Sequence, residues 1–443
     1  MGDDSVADLP IGLDRPDRRR SPQTDPVVYR LRVDLDDATP PIWRRVDVRS
    51  DVTLEVMHQV LQVAFSWDDY HLYRFSLGGH AFDRDSQLFL CPYDVDNPDW
   101  EDSDAGLPAA AVRLDETMGE PGDVLQYVYD FGDNWELTLR LEEILAADAS
   151  TPTAVVVDGQ RAAPPEDCGG RRDEAELAEV LDDPARFDID QVDAALRGPY
   201  FLLREAGFDR QVVDLVYRLE CTPVGADLTP RVGQIVEMPS GTVDPARYLG
   251  AYQWFLDRAK DDGIPLTASG YLKPADVEAS SKVVPGMGDW PGVPNREVHC
   301  LPLLQFRQNV QRLGLLRKNK GMLVLTRAGA AAQRDPQALW NHLAGRLLPD
   351  GEDGFDAQAT VLLLVYAASS PDSHLPYAKV TAALAELGWR YPDGRTPGTE
   401  AVYHLPVRSI LANTSDRPAS WSERDRVSAG AAALARAALR GGS

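Results

Sequence analysis

Val124–Leu141, VLQYVYDFGDNWELTLRL, reads as two strands joined by a turn. Trp135, Leu137, Leu139 and Leu141 occupy every second position, the period of a strand with one buried face. Gly132-Asp133-Asn134 supplies turn chemistry, because glycine and asparagine tolerate positive φ, so a hairpin is expected. The same period of two appears upstream. Tyr29, Leu31, Val33 and Leu35 alternate with Arg30, Arg32 and Asp34, and a second strand is expected over Ile42–Val48 after the Pro40-Pro41 break. From Leu54 the spacing turns helical: Leu54, Met57, Leu61, Ala64 and Phe65 share a face, with Asp51 or Thr53 as N-cap and an end near Trp67. A strand over His71–Leu77 and helices over Glu174–Leu181 and Val192–Arg204 complete an α+β order: a small β-sheet with covering helices.

Four strings in this region carry a resemblance: VYRLRVDL…PIWRRVDV, WDDYHLYRFSLGG, YDFGDNW at Tyr129–Trp135, and PPEDCGG at Pro164–Gly170. Together, over about Val27 to Tyr217, the chain resembles the plasmid Ri open-reading-frame-three-like family, also met as a TnpR-like passenger of insertion elements. The resemblance implies an association with plasmids or mobile elements. It implies no reaction, since the family carries no established activity. Members commonly have a histidine two residues after the motif tryptophan, where this chain has Leu137, and a cysteine before PPED, where it has Val155–Val157.

The 443 residues hold 70 acidic against 45 basic side chains, a net charge of −25, which disfavours nucleic-acid binding by the surface as a whole. At 44% hydrophobic residues the chain can bury more than one core, so two domains are expected. Residues 1–26, rich in Asp, Arg, Pro and Gly, read as a disordered tail, followed by the resembling domain at 27–221. Cys91, Cys168, Cys221 and Cys300 lie far apart with no paired spacing, which excludes a zinc knuckle and a disulfide framework and fits a reducing, cytoplasmic setting. The longest apolar stretch, Ala359–Ala368, is too short to span a bilayer, so no membrane association is expected.

Gly, Pro and Asp mark residues 222–244 as a linker to a mostly helical domain over 245–443. Within it, a helix over Tyr248–Lys260 precedes a short strand and helix from Leu266. Leu303, Phe306, Val310 and Leu313 then mark a further helix, and Leu315–Leu325 forms a hairpin about Lys318-Asn319-Lys320-Gly321. This is the order of a winged helix, expected around 266–330. Further helices are expected near Ala357–Ala368, Tyr377–Leu387 and Ser422–Leu439. Between Arg296 and Arg346 nine basic residues face two acids, Glu297 and Asp335, a local net of +7. Arg307, Arg312, Arg317, Lys318 and Lys320 are therefore the candidate contacts to the phosphate backbone of duplex DNA. A basic face docked on an acidic protein surface satisfies the same charges.

In the first domain His71, Asp130, Asp133, Trp135, Glu166 and Asp167 form the candidate pocket, with His80 as a further imidazole. Clustered carboxylates and imidazoles are what a cation requires. The alternative is that Asp130 and Asp133 hold turn amides, and with Leu137 at the family's histidine position no stoichiometric transition metal and no cofactor are expected. Asp130-Phe131-Gly132 matches a kinase magnesium segment, but no glycine-rich phosphate loop or H-R-D-type loop accompanies it. His58 falls on an apolar helix face, as a packed histidine would, and Cys168 lies among acidic residues that oppose a thiolate. PPEDCGG reads as a rigid turn with its glycines at positive φ and its carboxylates on backbone amides. No catalytic residue is assigned. Three readings stand: an accessory or regulatory protein touching DNA through the basic unit, an enzyme with an acidic pocket in the first domain, and a scaffold that binds protein alone.

Overall fold

A computed structural model describes residues 17–96, 106–148, 150–220, 222–238, 243–349, 354–417, 423 and 425–440. The chain divides into two units, Met1–Gly198 and Pro199–Ser443.

The first unit runs β1 (Val27–Leu35), β2 (Ile42–Arg49), α1 (Leu54–Phe65), β3 (Tyr73–Leu77), β4 (Gln87–Leu90), α2 (Pro92–Asp96), β5 (Leu107–Pro108), β6 (Val124–Tyr129), β7 (Trp135–Ala146), β8 (Ala154–Gln160), α3 (Glu174–Leu177) and α4 (Ile189–Leu196). Its eight strands form one sheet in the order β5-β4-β3-β6-β7-β1-β2-β8, antiparallel except for β4 and β5. Register lines up the buried face: Phe89 opposes Phe75, Phe75 opposes Tyr127, Tyr127 opposes Leu137, Leu137 opposes Leu35, and Leu35 opposes Ile42. The same alternation puts Trp135, Leu139 and Leu141 on that face. On the other face, Arg30 pairs with Asp47 at 2.8 Å and Arg45 with Glu142 at 2.7 Å. Half-exposed pairs of this kind contribute little each, so the core face sets the stability.

Helix α1 starts at the Thr53 cap, whose side chain accepts from the Val56 amide. It is buried nearly all round, and its last turn is tied to β2 through Arg44. That guanidinium, opposite Val33 on the core face, donates to the carbonyls of Ala64 (2.7 Å), Trp43 (2.9 Å) and Gln160 (3.1 Å) and lies 4.1 Å from the Phe187 ring centroid. Burial pulls its pKa down to about 9.

The second unit contains α5 (Pro199–Glu205), α6 (Arg210–Leu219), α7 (Gly225–Glu237), α8 (Pro245–Tyr248), α9 (Gly250–Arg258), β9 (Ile264–Pro265), α10 (Pro274–Ser281), α11 (Leu301–Arg312), β10 (Leu316–Asn319), β11 (Met322–Leu325), α12 (Arg327–Arg334), α13 (Pro336–Ala344), α14 (Phe355–Ser369), α15 (Tyr377–Glu386), α16 (Pro406–Asn413) and α17 (Ala429–Leu439). The apolar α14 is buried along its length. No helix among the described residues is long and apolar enough to cross a membrane. Strand β11 lies between β10 and β9 in a three-stranded sheet. The β10–β11 loop is Lys320-Gly321, both at positive φ (46° and 77°), as a two-residue type I′ connection requires.

Three sequence expectations are corrected. The linker at 222–244 is largely α7, a helix despite Pro230, because Leu228, Val232 and Ile235 bury one side of it; residues 239–242 lie outside the described set. The single helix expected over Val192–Arg204 is two, α4 and α5, broken at Gly198-Pro199 where proline lacks the amide that would continue the ladder. Of the tail expected over 1–26, residues 1–16 lie outside the described set, whereas Arg18–Gln23 are held: the Arg18 amide donates to Gln87 (2.6 Å), the Arg20 amide to the Glu116 carbonyl (2.8 Å), and Gln23 to Tyr29 (2.8 Å).

Asp227 on α7 ties three helices of the second unit together. Its carboxylate accepts from Lys379 of α15 (2.6 Å), Arg231 of α7 (3.1 Å) and Tyr366 of α14 (3.1 Å). Burial acts to raise its pKa, but the Lys379 and Arg231 contacts prevail and hold it down to about 2. The folded value lies below the ordinary 3.8, so the stabilisation is complete above 3.8 and is lost as pH falls through about 2. Thermal unfolding against pH should therefore be flatter between 3.8 and about 2 for Asp227→Asn than for the wild type. Parallel curves for the two proteins would contradict this clasp.

Candidate functional site

Three strings far apart in the chain meet at one end of the first unit's sheet: Trp67–Tyr73, Tyr129–Trp135 and Pro164–Gly170. The Trp67 indole donates to the Pro164 carbonyl at 2.9 Å, joining the first string to the third. Tyr129 joins all three. It opposes Tyr73 and Trp135 in the sheet, its hydroxyl accepts from the His71 amide (3.2 Å), and it donates to the Glu166 carboxylate. Burial, followed by the Glu166 bond, pushes that phenol well above its ordinary range, so it stays a neutral donor.

The β6–β7 loop differs in detail from the sequence expectation. Positive φ falls on Asp130 (54°) and Asn134 (55°), whereas Gly132 is not in that region. The loop closes through the Asn134 amide to the Asp130 carbonyl (2.6 Å) and the Gly132 amide to Asp130 Oδ1 (3.0 Å). In the Pro164–Gly170 loop, Gly169 (78°) and Gly170 (70°) do take positive φ, and so does Asp167 (55°). Its carboxylates do not cap amides as expected: Glu166 accepts from Tyr129 and Asp167 faces His71. The amide cap comes from the neighbouring loop, where Asp133 Oδ2 accepts from the Gly169 amide at 3.0 Å. A side chain at Gly170 would reach 3.1 Å from the Asp133 carbonyl oxygen, so close packing of the two loops needs glycine there.

The candidate residues thus separate into roles. His71, Asp130 and Asp167 converge: His71 Nε2 lies 3.1 Å from Asp167 and 3.6 Å from Asp130, and their ligand atoms fall within 4.8 Å of one another. Asp133 and Glu166 are committed to loop contacts beside them. Trp135 is fully buried below, stacked at 6.2 Å on Trp67 and with the Arg172 guanidinium at 5.2 Å; Arg172 also donates to the Asn134 carbonyl. His80 stands apart, 3.5 Å from Glu136. Cys168 is held above its ordinary thiol range, chiefly by burial and further by Asp133.

Sequence reading missed a second polar centre behind this one. His58 is bonded on both ring nitrogens, Nδ1 to the Tyr127 hydroxyl and Nε2 to Asp69, each at 2.8 Å, and stacks on Tyr73 at 3.7 Å. Gln62 donates to the Tyr127 hydroxyl (3.0 Å) and Gln59 to Asp69 (2.9 Å). His58 is packed, as its place on an apolar face suggests. Its partners come from β6 and from the loop after α1, so periodicity could not name them. Asp69, two residues after Trp67 within WDDYH, was the available signal.

In the second unit the basic residues are not equivalent. Arg307 is buried and paired with the buried Glu297, which also accepts from the Leu272 amide (2.7 Å), so Arg307 is withdrawn as a DNA contact. Leu303, Phe306, Asn309 and Val310 are buried on the same helix, so α11 packs one face inside the unit and leaves Leu301, Gln308 and Arg312 exposed. Arg312, Arg317, Lys318 and Lys320 are exposed and, among the described residues, have no carboxylate partner.

Comparison with known proteins places the first unit in context. Residues 27–216 match the model of the plasmid pRiA4b ORF-3-like protein family. The uncharacterized protein y4hQ of Sinorhizobium fredii is 35% identical over 159 residues, covering 36% of this chain and 75% of that protein. A crystal structure of a protein of unknown function, MM3350 from Methanosarcina mazei, is 27% identical with a TM-score of 0.31, covering 38% of this chain and 97% of the other. The strings that meet around Tyr129 lie inside the matched region, and the chain belongs to the plasmid pRiA4b ORF-3-like family.

Proposed function

We propose that this protein is an accessory or regulatory protein of plasmids or mobile elements, without catalytic activity of its own, that contacts duplex DNA through the β10–β11 hairpin of its second unit. The observation that carries the reading is the state of the charges: Arg312, Arg317, Lys318, Lys320 and Arg327 are exposed and, among the described residues, free of carboxylate partners. Removing the buried Arg307–Glu297 pair takes one charge of each sign from the Arg296–Arg346 segment, so its outward net of +7 stands. The order α9, β9, α10, α11, β10, β11, with β11 central in the small sheet, supports a winged-helix reading in which the hairpin is the wing.

Burial of Arg307 alters the mode of contact. With Arg307 paired inside the unit, α11 keeps one exposed basic residue, Arg312 in its last turn, so binding runs chiefly through the wing to phosphates and has little sequence preference. Clustering of all four acidic candidates around one concavity would have favoured the enzyme reading. Two of them, Asp133 and Glu166, instead hold loop amide and phenol groups, which favours binding.

The test uses the full chain and a short duplex, followed by fluorescence anisotropy at several salt concentrations. Binding should be weak and should fall steeply with salt. Glutamine at Arg317, Lys318 and Lys320 should reduce the log–log salt slope by about 2 to 3, at roughly 0.9 for each phosphate that the protein no longer neutralises. An unchanged slope would assign the hairpin to a protein partner, and no binding at low salt would remove DNA from the reading.

A further inference from the structure

We infer that His71 Nε2, Asp130 Oδ2 and Asp167 Oδ1 form a site for one divalent cation of the borderline class, manganese or zinc, with water completing the coordination. The sequence alone suggests no transition metal, because Leu137 replaces the family's usual histidine. Leu137 is fully buried on the core face of β7, opposite Tyr127 and Leu35. The fold assembles a different donor set, from the lead into β3, the β6–β7 loop and the Pro164–Gly170 loop.

The geometry suits a cation better than an ion pair. His71 Nε2 is shielded from solvent and, among the described residues, has no hydrogen-bond partner, although a carboxylate oxygen lies on either side of it at 3.1 and 3.6 Å. Donors bound cis to one metal at about 2.0–2.2 Å stand roughly 3.0–3.6 Å apart, so these separations are those of a shared ion. Asp130 supplies a second observation. Its side chain is only 9% exposed and its Oδ1 holds the Gly132 amide, yet Oδ2, turned toward His71, accepts no hydrogen bond among the described residues. A carboxylate oxygen with free lone pairs beside an unpartnered imidazole nitrogen is the donor arrangement that a cation takes up.

Each ligand is positioned by the backbone. Asp130 is fixed by its own turn and by its amide to the Leu72 carbonyl (3.0 Å), and the His71 amide is anchored on Tyr129. Asp167 sits in the loop that Asp133, Tyr129 and Trp67 pin to the sheet through Gly169, Glu166 and Pro164. One imidazole and two carboxylates favour manganese or zinc over calcium, which takes six to eight oxygens, and over magnesium, which keeps most of its water. The ion would clasp the Pro164–Gly170 loop to the sheet and leave open positions facing solvent, because Asp167 is 75% exposed.

The test is titration of chelator-treated, full-length protein with Mn2+, followed by electron paramagnetic resonance, and with Zn2+, followed by calorimetry. One equivalent should bind saturably, and the metal should raise the melting temperature. Asp167→Asn changes an exposed loop residue and keeps a side chain that tolerates its positive φ, so the variant should fold as the wild type does. It and His71→Gln should each weaken binding at least about tenfold and abolish the thermal shift. Glu143→Gln, an exposed acid on the charged sheet face, should bind as the wild type does. Absence of saturable binding up to millimolar metal overturns the proposal, and so does either ligand variant binding as tightly as the wild type.

Discussion

Trp135→Ala is expected to destabilise the first unit by about 3–5 kcal/mol, through loss of a fully buried indole and the cavity it leaves. The ring fills the base of the region where the three strings meet. It opposes Tyr129 in the sheet, stacks on Trp67 and seats the Arg172 guanidinium, so its removal leaves three neighbours without a packing surface. Relaxation there is restricted, because Tyr129 and Arg172 are held by Glu166 and the Asn134 carbonyl. Trp135→Phe separates packing from polarity. The indole Nε1 has no hydrogen-bond partner among the described residues, so phenylalanine forfeits only volume and should cost far less than alanine. Calorimetry would resolve the first unit's transition, and an alanine variant melting with the wild type would refute the placement of Trp135.

A comparable loss is expected in the second unit from Glu297→Ala. Glu297 and Arg307 are both essentially inaccessible, and the carboxylate also satisfies the Leu272 amide, so alanine leaves a buried guanidinium and a buried amide without their acceptor. Breaking such a pair from one side costs about 3–5 kcal/mol. Among the described residues Arg307 then keeps only Gln311 as a side-chain partner, which neutralises no charge. The double variant Glu297→Met with Arg307→Met should recover much of the loss, since two apolar side chains of similar length need no compensation. Denaturant unfolding of the three proteins distinguishes the cases. A single variant as stable as the wild type would mean that the pair is not buried, and Arg307 would return to the surface charge available to DNA.

These two residues show what pattern could and could not reveal. Trp135 was legible because strand periodicity is a local property: with Leu137, Leu139 and Leu141 in phase, one buried residue places the rest. Arg307 was misread because charge in a sequence does not say whether an acid ten residues away will close on it inside a core. The break between α4 and α5 and the positive φ of Gly169 and Gly170 had visible signals in Gly198-Pro199 and in the paired glycines. Helix α7 did not. Its Gly, Thr and Pro compose a loop by propensity, and only burial of Leu228, Val232 and Ile235 overrides it. The strands β4 and β5 were missed for a related reason: β5 is two residues long, and β4 is buried along its whole length, which removes the alternation that marks a strand.

By itself the sequence determined the α+β order, the β6–β7 hairpin and its buried face, the lone basic stretch in an acidic chain, and the family, because each rests on local period, composition or contiguous strings. Only the tertiary structure decided which charges are spent. It joined His71, Asp130 and Asp167, separated by up to 96 positions in the chain, and took Glu166 for Tyr129, Asp133 for Gly169 and Glu297 for Arg307. Pairing of this sort depends on distance and desolvation across the fold. Neither quantity is written in any one segment.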